Sequence, residues 1–207
     1  FIGKNGAGKT TTLKCCLGII RCEKGEILLD GKSVLKAPTD CKKKMAYVPD
    51  NPILDEYMTG IQYLNFIGNV YGVPVRERKQ AIETLAATFQ MEQHLNSLIS
   101  SYSHGMKQKL ALIAAFSHTP KLLILDEPFV GLDPEAFVIL KEQMKKLCAG
   151  GSSILFSSHI LDVVEKVCNK VSLIKQGHLL YSGLTSGIVG AKGLEEVFME
   201  MNGDEKS

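Results

Sequence analysis

The chain has 207 residues, 45% of them hydrophobic and 22% charged, and its formal net charge at pH 7 is only +2. This length and composition are typical of one globular domain, and so small a net charge gives no support for binding to nucleic acid or to an anionic surface. No run approaches the roughly 18 consecutive apolar residues of a membrane-spanning helix, so any work at a membrane requires another polypeptide to cross it.

The chain is predicted to begin with the end of a strand, a glycine-rich loop and a helix. Phe1-Ile2 ends the strand, residues 3–8 form the loop, and residues 9–20 continue as the helix. Because a loop of this kind normally follows a buried strand, we expect further residues upstream in the full protein. Residues 26–29, followed by Asp30-Gly31, predict a strand that enters a tight turn.

The middle of the chain is predicted to be helical. It follows a short apolar strand over residues 45–48. A helical spacing of apolar residues then runs from residue 59 to about residue 91, interrupted at Pro74, and a further helix begins after Ser103. We interpret residues 54–118 as a helical subdomain inserted between strands.

The rest of the chain alternates between strands and helices and includes a hairpin. The predicted elements are strands at 122–125 and 153–156, helices at 134–147 and 160–167, and hairpin strands at 171–174 and 179–181 around Gln176-Gly177. This alternation predicts an α/β fold with a mostly parallel sheet and a small antiparallel β-subdomain. The predicted division is a core at 1–53 and 119–190, the helical subdomain at 54–118, and a C-terminal helix and tail at 191–207.

Residues 3–10 match the phosphate-binding pattern G-x-x-x-x-G-K-[ST] at every fixed position, which predicts a P-loop NTPase core. The glycines let successive backbone N–H groups turn inward onto phosphate oxygens, and the following helix adds the positive end of its dipole. We expect Lys9 to reach the β- and γ-phosphates of a nucleotide and the Thr10 hydroxyl to bind Mg²⁺. The predicted nucleotide-binding residues of this P-loop are Gly3, Asn5, Gly6, Ala7, Gly8, Lys9, Thr10 and Thr11.

Two carboxylates follow the predicted buried strand at 122–125. The strand carries Asp126 and Glu127 to its carboxyl end, where α/β proteins bind ligands. We expect Asp126 to hold Mg²⁺, and Glu127 to orient and deprotonate the water that attacks the γ-phosphate. An acidic pair alone is often a helix cap or a turn, but together with the P-loop it predicts an ATP-hydrolysing site.

With these motifs in this order, the chain resembles the nucleotide-binding subunit of ATP-binding cassette (ABC) transporters over essentially its whole length. Residues 47–50 resemble the Q-loop of that family, 102–108 its signature motif, 126–128 its Walker B segment, 131–133 its D-loop, and His159 its switch histidine. The resemblance therefore extends the site well beyond the P-loop and the two carboxylates.

The resemblance implies that two such subunits pack head to tail around two ATP molecules. Each ATP would lie between the P-loop of one copy and the signature helix of the other, so that Ser103 and Gly105 face the γ-phosphate and Asp133 links the two sites. The implied catalytic residues are Lys9, Glu127 and His159, and the implied metal ligands are Thr10, Asp50 and Asp126.

Two departures from the family pattern favour one branch of it. Asp50 stands where the Q-loop usually has Gln, and Tyr102, His104 and Met106 replace the usual Leu, Gly and Gln of the signature motif. Both departures resemble the bacterial ABC-2-type exporters, as does the segment at 193–198. The resemblance therefore favours export.

The resemblance also implies partners and a location. The partners are an integral membrane permease subunit and a second nucleotide-binding domain, in a homodimer or a heterodimer, without nucleic acid, at the cytoplasmic face of the membrane. The helices near residues 57–71 are expected to receive the permease. The aromatic residue that stacks on adenine in this family lies upstream of the P-loop, so we expect it among the residues that precede Phe1.

Two alternatives compete with a transporter subunit. A soluble ABC-type ATPase acting on ribosomes or DNA usually has two cassettes or a long coiled-coil or zinc insertion. Here about a hundred residues separate Gly3 from Ser103, without extended heptads or a cysteine cluster. A P-loop kinase does not need a signature helix, and a GTPase should carry an NKxD-type motif, which the sequence lacks.

Overall fold

The computed structural model describes residues 1–189 together with Leu194, Glu196 and Phe198. It divides into two compact units, Phe1–Arg21 with Phe156–Ser207, and Cys22–Leu155. No helix within the described residues is both long enough and apolar enough to span a membrane. The helices are α1 (Lys9–Cys16), α2 (Pro38–Lys42), α3 (Gly60–Val70), α4 (Val75–Thr88), α5 (His104–Ser117), α6 (Pro134–Ala149), α7 (Leu161–Val167) and α8 (Thr185–Val189), and the strands are β1 (Leu28–Leu29), β2 (Lys32–Ser33), β3 (Met45–Val48), β4 (Leu122–Asp126), β5 (Ser153–Ser157), β6 (Lys170–Lys175) and β7 (His178–Leu184).

In the first unit, Ile2 is the strand residue that leads into the P-loop. It forms parallel bridges to Ser158 on one side and to Leu173 of β6 on the other, and its carbonyl oxygen accepts a 2.8 Å hydrogen bond from the Ile174 N–H. These contacts confirm the predicted strand end at Phe1-Ile2. Because Ile2 pairs in parallel on both sides, residues 3–8 emerge at a carboxyl edge of strands, where α/β proteins bind ligands.

Helix α1 ends at Cys16 rather than at residue 20, so that part of the prediction was wrong. Gly18 has a φ of +66°. The Gly18 N–H donates to the Cys15 carbonyl and the Ile19 N–H donates to the Lys14 carbonyl, each over 2.9 Å. This pair of bonds is a Schellman motif, which ends a helix at a left-handed glycine. Apolar residues continue past Gly18, but the helical conformation of the backbone ends before it.

Two antiparallel hairpins confirm the predicted tight turns. Strands β1 and β2 close around Asp30-Gly31, and strands β6 and β7 close around Gln176-Gly177. All four turn residues have a positive φ, between 48° and 80°, as the two-residue turns of right-twisted hairpins require. Strand β1 is shorter than the predicted strand at 26–29.

In the second unit, strands β3, β4 and β5 form a sheet in that order. Strands β3 and β4 are parallel, with Tyr47 opposite Ile124 and Val48 opposite Leu125. The side chains of Leu123, Ile124 and Leu125 are fully buried, so β4 is a core strand that carries the chain to Asp126. The predicted α/β architecture, with parallel and small antiparallel sheets, is confirmed.

Helices α3, α4 and α5 pack together in the second unit, and α5 also packs on β3. Every residue of α5 from Leu110 to Phe116 is buried, which is the pattern of a helix enclosed on all sides. Helix α4 approaches α3 closely, because the buried Arg78 side chain lies over Gly68, where a Cβ atom would be only 2.1 Å from Arg78 Cδ. The Arg78 guanidinium donates to the Asn65 carbonyl oxygen over 3.1 Å.

The helices predicted as an inserted subdomain thus lie in the second unit with β3 and β4. The further division into subdomains stays a prediction. The C-terminal helix and tail predicted at 191–207, including the segment at 193–198, lie outside the described residues apart from the three named above.

A threonine fixes the start of α3. The Gln62 N–H donates to Thr59 Oγ1 over 3.3 Å and the Thr59 N–H donates to Gln62 Oε1 over 2.8 Å, forming a reciprocal capping box. We expect Thr59→Ala to lower the free energy of unfolding by about 1 kcal/mol, because the first turn of α3 loses its cap. Urea denaturation will measure this. Thr84→Ala, at an exposed position inside α4, is the control and should cost nothing; equal losses would contradict the assignment.

Candidate functional site

The P-loop is an open turn in which the backbone supplies the polar groups. Gly6 and Gly8 have φ angles of +81° and +103°, a conformation that side chains rarely adopt. No described atom lies within 4 Å of the position that a Cβ on Gly6 would take. Helix α1 begins after Gly8 without a side-chain cap among the described residues, and the start of a helix carries a partial positive charge that attracts anions.

Lys9 holds its ammonium group inside this loop. The residue is only 7% exposed, and its Nζ donates to the Gly3 carbonyl over 2.7 Å and to the Lys4 carbonyl over 3.4 Å. The loop therefore curls around the cation. Of the other predicted P-loop residues, Ala7 is buried, whereas Asn5, Thr10 and Thr11 are exposed at the surface of the unit.

The hairpin β6–β7 braces the P-loop, a support that the sequence reasoning missed. A Cβ on Gly3 would lie 2.6 Å from the Ile174 carbonyl oxygen, so only glycine fits there. The Gly177 N–H donates to the Ala7 carbonyl over 2.9 Å. The sequence marked Gln176-Gly177 as a turn but carried no signal that the turn would contact the P-loop.

His159 lies at the same edge of the first unit as the P-loop. Ile2 and Ser158 are paired in parallel, so Gly3 and His159 each follow one member of that pair. Ser158 Oγ accepts a 3.0 Å hydrogen bond from the Ile160 N–H, which fixes the turn after β5. The imidazole of His159 is exposed. The first unit therefore brings together the P-loop and the predicted switch histidine.

The two predicted carboxylates lie in the second unit, at the end of β4. Asp126 is 2% exposed, and Glu127 has a φ of +48°. A glutamate in the left-handed region is uncommon and marks a backbone held in place by its surroundings, often at a functional site.

The signature helix α5 begins against the segment that follows these carboxylates. Ser103 caps α5, since its Oγ accepts a 3.3 Å hydrogen bond from the Met106 N–H. A Cβ on Gly105 would lie 3.3 Å from the Gly131 carbonyl oxygen, so the helix and the predicted D-loop are in close contact. The buried Gln108 side chain donates to the Pro128 carbonyl over 3.3 Å. The second unit thus brings the signature residues next to the D-loop.

Asp133, predicted to link two copies, has structural partners within its own chain. Its Oδ1 accepts a 2.7 Å hydrogen bond from the Ala136 N–H, which caps α6, and its Oδ2 lies 2.9 Å from Lys109 Nζ. The Ala136 amide and then the Lys109 ammonium hold the pKa of this carboxyl below its usual value. The sequence analysis did not identify Lys109 as a partner of Asp133, although the predicted helix after Ser103 includes it.

The remaining predicted metal ligand, Asp50, lies exposed after β3. Tyr47 of β3 precedes it, with a pKa raised to about 12 by burial and then by the negative charges of Asp126 and Asp50. The charges of Asp50 and Asp126, both predicted metal ligands, thus act on one phenol. The sequence reasoning assigned no role to Tyr47.

A groove of about 190 Å³ opens in the second unit beside the Q-loop. Residues after β3, the inner face of α3 and the small residues of α5 line it, among them Tyr47, Pro49, Ile67, Tyr71, Ala115 and His118. The Tyr71 and His118 rings stack with centroids 3.7 Å apart. Burial lowers the pKa of His118, which keeps the imidazole neutral at pH 7. At the mouth of the groove Ile53 is 94% exposed.

These residues fit a magnesium-bound nucleotide by the chemistry of their groups. The P-loop presents backbone N–H groups and an ammonium to anionic phosphates, and the glycine at position 3 leaves no room for a side chain. In the second unit, Asp126 and Asp50 carry hard oxygen atoms of the kind that Mg²⁺ prefers, and the Thr10 hydroxyl is such an oxygen in the first unit. Each unit therefore carries groups whose chemistry suits part of a magnesium-bound nucleotide.

Comparisons with known proteins agree with this chemistry. The profile of the ABC transporter family matches residues 1–130. The ABC-type transporter ATP-binding protein EcsA of Bacillus subtilis (strain 168) is 34% identical over 200 residues, which cover 97% of this chain and 81% of that protein. The Nod factor export ATP-binding protein I of Paraburkholderia xenovorans (strain LB400) is 31% identical over 192 residues, which cover 93% of this chain and 63% of that protein.

Two solved structures share the fold. An ATP binding subunit of an ABC transporter superposes with a TM-score of 0.93 at 33% identity, covering 97% of this chain and 86% of that chain. The protein cbiO1 from Clostridium perfringens, part of the ABC transporter complex cbiONQ, superposes with a TM-score of 0.76 at 25% identity, covering 97% of this chain and 81% of that chain.

The cap on α6 gives a pH-dependent test of the D-loop geometry. We expect Asp133→Ala to lower the free energy of unfolding by about 1 kcal/mol at pH 7 through loss of the cap; the half-exposed ion pair with Lys109 adds little. The pKa of Asp133 is lower in the folded state than in the unfolded state. Its carboxylate therefore contributes fully to the free energy of unfolding above the unfolded-state pKa, and this contribution disappears as the pH falls through the folded-state pKa.

Urea denaturation at pH 7 and at progressively lower pH values will show this. The difference between the wild type and Asp133→Ala should be constant near neutrality and should shrink below about pH 4. Asp162→Ala is the control, since Asp162 lies in the first turn of α7, which has no side-chain cap. A difference for Asp133→Ala that persists unchanged into acid would contradict the role of the carboxylate.

Proposed function

This chain belongs to the ABC transporter family as an ATP-binding subunit, and from that premise we propose how its residues bind and hydrolyse ATP and which partners it drives. Members of this family are ATPases that power transport, so the activity of the chain is ATP hydrolysis coupled to transport. The observation that carries the detailed proposal is the P-loop itself, an uncapped helix start with a lysine ammonium enclosed by the loop.

The P-loop binds the phosphates of ATP in this proposal. Backbone N–H groups of the loop and of the start of α1 would donate to the β- and γ-phosphate oxygens. The Lys9 ammonium leaves the carbonyl oxygens of Gly3 and Lys4 for the phosphates, where a full negative charge replaces neutral acceptors. The exposed Thr10 hydroxyl, with Asp126 and Asp50, would hold Mg²⁺, which neutralises phosphate charge when bound.

Hydrolysis requires a base and a group that senses the γ-phosphate. We assign the base to Glu127, which would orient a water molecule in line with the γ-phosphate and accept its proton. The left-handed backbone at Glu127 supports this assignment, because strained backbone conformations of this kind cluster at functional sites. His159 is exposed at the P-loop edge of its unit and would donate to a γ-phosphate oxygen.

A second copy of a nucleotide-binding domain would complete each site. Ser103 and His104, at the start of α5, are exposed, so a helix N-terminus is accessible to the phosphates bound by another copy. The D-loop residue Asp133 lies on the same side of the second unit, tied to α5 through Lys109. We propose that ATP joins two copies head to tail, and that loss of the γ-phosphate releases them.

An integral membrane permease is the proposed second partner, bound at the groove beside the Q-loop. The groove is lined by apolar and aromatic side chains, and Ile53, one of them, is 94% exposed, as is typical of a protein contact surface. The location is then the cytoplasmic face of the membrane. The relative named for Nod factor export and the acidic Q-loop support an exporter.

Two variants of the full-length protein separate binding from hydrolysis. We expect Lys9→Ala to reduce ATP hydrolysis at least about 100-fold, because the loop loses its charge on the γ-phosphate. We expect Glu127→Gln to abolish hydrolysis but to keep ATP binding, so that ATP drives its association into dimers. Phosphate release and analytical ultracentrifugation will measure the two effects.

Lys14→Ala, in the last turn of α1, is the matched control for Lys9 and should hydrolyse ATP at the wild-type rate. Full activity of Lys9→Ala would refute the P-loop assignment. A Glu127→Gln protein that binds ATP but stays monomeric with every partner would refute the head-to-tail dimer.

The groove assignment is tested by an exposed apolar residue. We expect Ile53→Asp to abolish copurification of the full-length protein with its membrane partner, because a charge at the mouth of the groove opposes burial of an apolar segment. Val75→Asp is the control, since Val75 is an apolar residue 71% exposed at the start of α4. Copurification of Ile53→Asp at the wild-type level would exclude the groove as the docking surface.

A further inference from the structure

The Tyr47 hydroxyl is a buried polar group that the mechanism above does not use. Its oxygen is inaccessible to solvent and has no hydrogen-bond partner among the described residues. Proteins rarely leave such a group unsatisfied, because its desolvation is then uncompensated. A phenylalanine would fill the same space without that cost, so the hydroxyl calls for an acceptor that engages it in another state of the protein.

The strand register puts Tyr47 next to the end of β4. Tyr47 lies opposite Ile124 in the parallel pair β3–β4, and paired residues of neighbouring strands point to the same face of the sheet. Asp126 is two residues after Ile124, so its side chain lies on that face as well. A tyrosine side chain that leans along the strand therefore extends towards the Asp126 carboxylate.

The charges around Tyr47 suit a hydrogen-bond donor. The negative charges of Asp126 and Asp50 act on the phenol in addition to its burial, and all three effects raise its pKa, to about 12. The hydroxyl therefore keeps its proton at neutral pH and can donate but is not charged. The most favourable acceptor for such a donor is a carboxylate oxygen.

We propose that Tyr47 is a positioning residue of the metal site, whose hydroxyl donates a hydrogen bond to the Asp126 carboxylate in the nucleotide-bound protein. The bond would fix the orientation of the Asp126 carboxylate for holding Mg²⁺, as hydrogen-bond donors behind a ligating carboxylate do in metal sites. This inference rests on the proposed function, which makes Asp126 a metal ligand. The ring of Tyr47 also lines the groove, so one side chain is shared by the groove and the metal site.

The test deletes the hydroxyl and separates metal binding from nucleotide binding. In full-length protein carrying Glu127→Gln, which blocks hydrolysis, calorimetry compares Tyr47→Phe with the parent for Mn²⁺·ATP and for ATP in EDTA. We expect the affinity for Mn²⁺·ATP to fall about tenfold, the loss of one hydrogen bond to a charged group, and the affinity for metal-free ATP to stay unchanged. The melting temperature without nucleotide should not fall, because no hydrogen bond is lost in that state.

Tyr181→Phe is the matched control, because the Tyr181 hydroxyl already has a partner, donating to the Leu184 carbonyl over 3.1 Å, and it should leave both affinities unchanged. Equal Mn²⁺·ATP affinity for Tyr47→Phe and the parent would overturn the inference. So would a parallel loss of both affinities with a lower melting temperature, which would show a structural role. If the parent itself fails to bind Mn²⁺·ATP, the proposed function fails instead.

Discussion

A buried ammonium group must be surrounded by oxygen atoms, and this requirement shapes the P-loop. Lys9 Nζ reaches back to the carbonyl oxygens of Gly3 and Lys4, so the loop closes on its own cation. The same closure leaves the N–H groups at the start of α1 without a side-chain cap among the described residues. Donors and a charge are thus assembled around one space before a ligand arrives, which reduces the reorganisation that binding would need.

In the second unit, helix α5 holds the segment that follows β4 through several contacts. Glycines at positions 105 and 131 let the start of α5 approach the D-loop, and Gln108 and Lys109 bind that segment one turn further along. Successive turns of one helix therefore fix the path of residues 128–133. A displacement of α5 would strain these contacts, and breaking the bond from Gln108 to the Pro128 carbonyl would leave a buried amide group without that partner.

Local chemistry could be predicted from the sequence where one short segment determines it. The P-loop pattern, the apolar run that ends in Asp126-Glu127, and the Asp30-Gly31 and Gln176-Gly177 turns each carry their own signal. Helix α1 was extended too far because apolar spacing outweighed the left-handed Gly18. The helix ends at a capping motif, and hydrophobic periodicity does not reveal such a motif because its hydrogen bonds depend on backbone conformation.

Contacts between distant segments could not be predicted in this way. Nothing near Ile174 or Gly177 indicates that they support residues 3–8, and the pairing of Lys109 with Asp133 needs the helix and the D-loop to be placed side by side. The burial of the Tyr47 hydroxyl without a partner among the described residues likewise depends on how distant segments pack. Such features emerge only when the three-dimensional packing is known.

The close contact between Gly3 and the Ile174 carbonyl oxygen has a consequence for how this chain can vary. Surface hairpin turns usually tolerate insertions and deletions among relatives. Here the β6–β7 hairpin contacts the P-loop at two points near its turn, Ile174 and Gly177. An added or lost residue between them would move one support and not the other, so we expect a change in the length of this turn to disturb the loop that it supports.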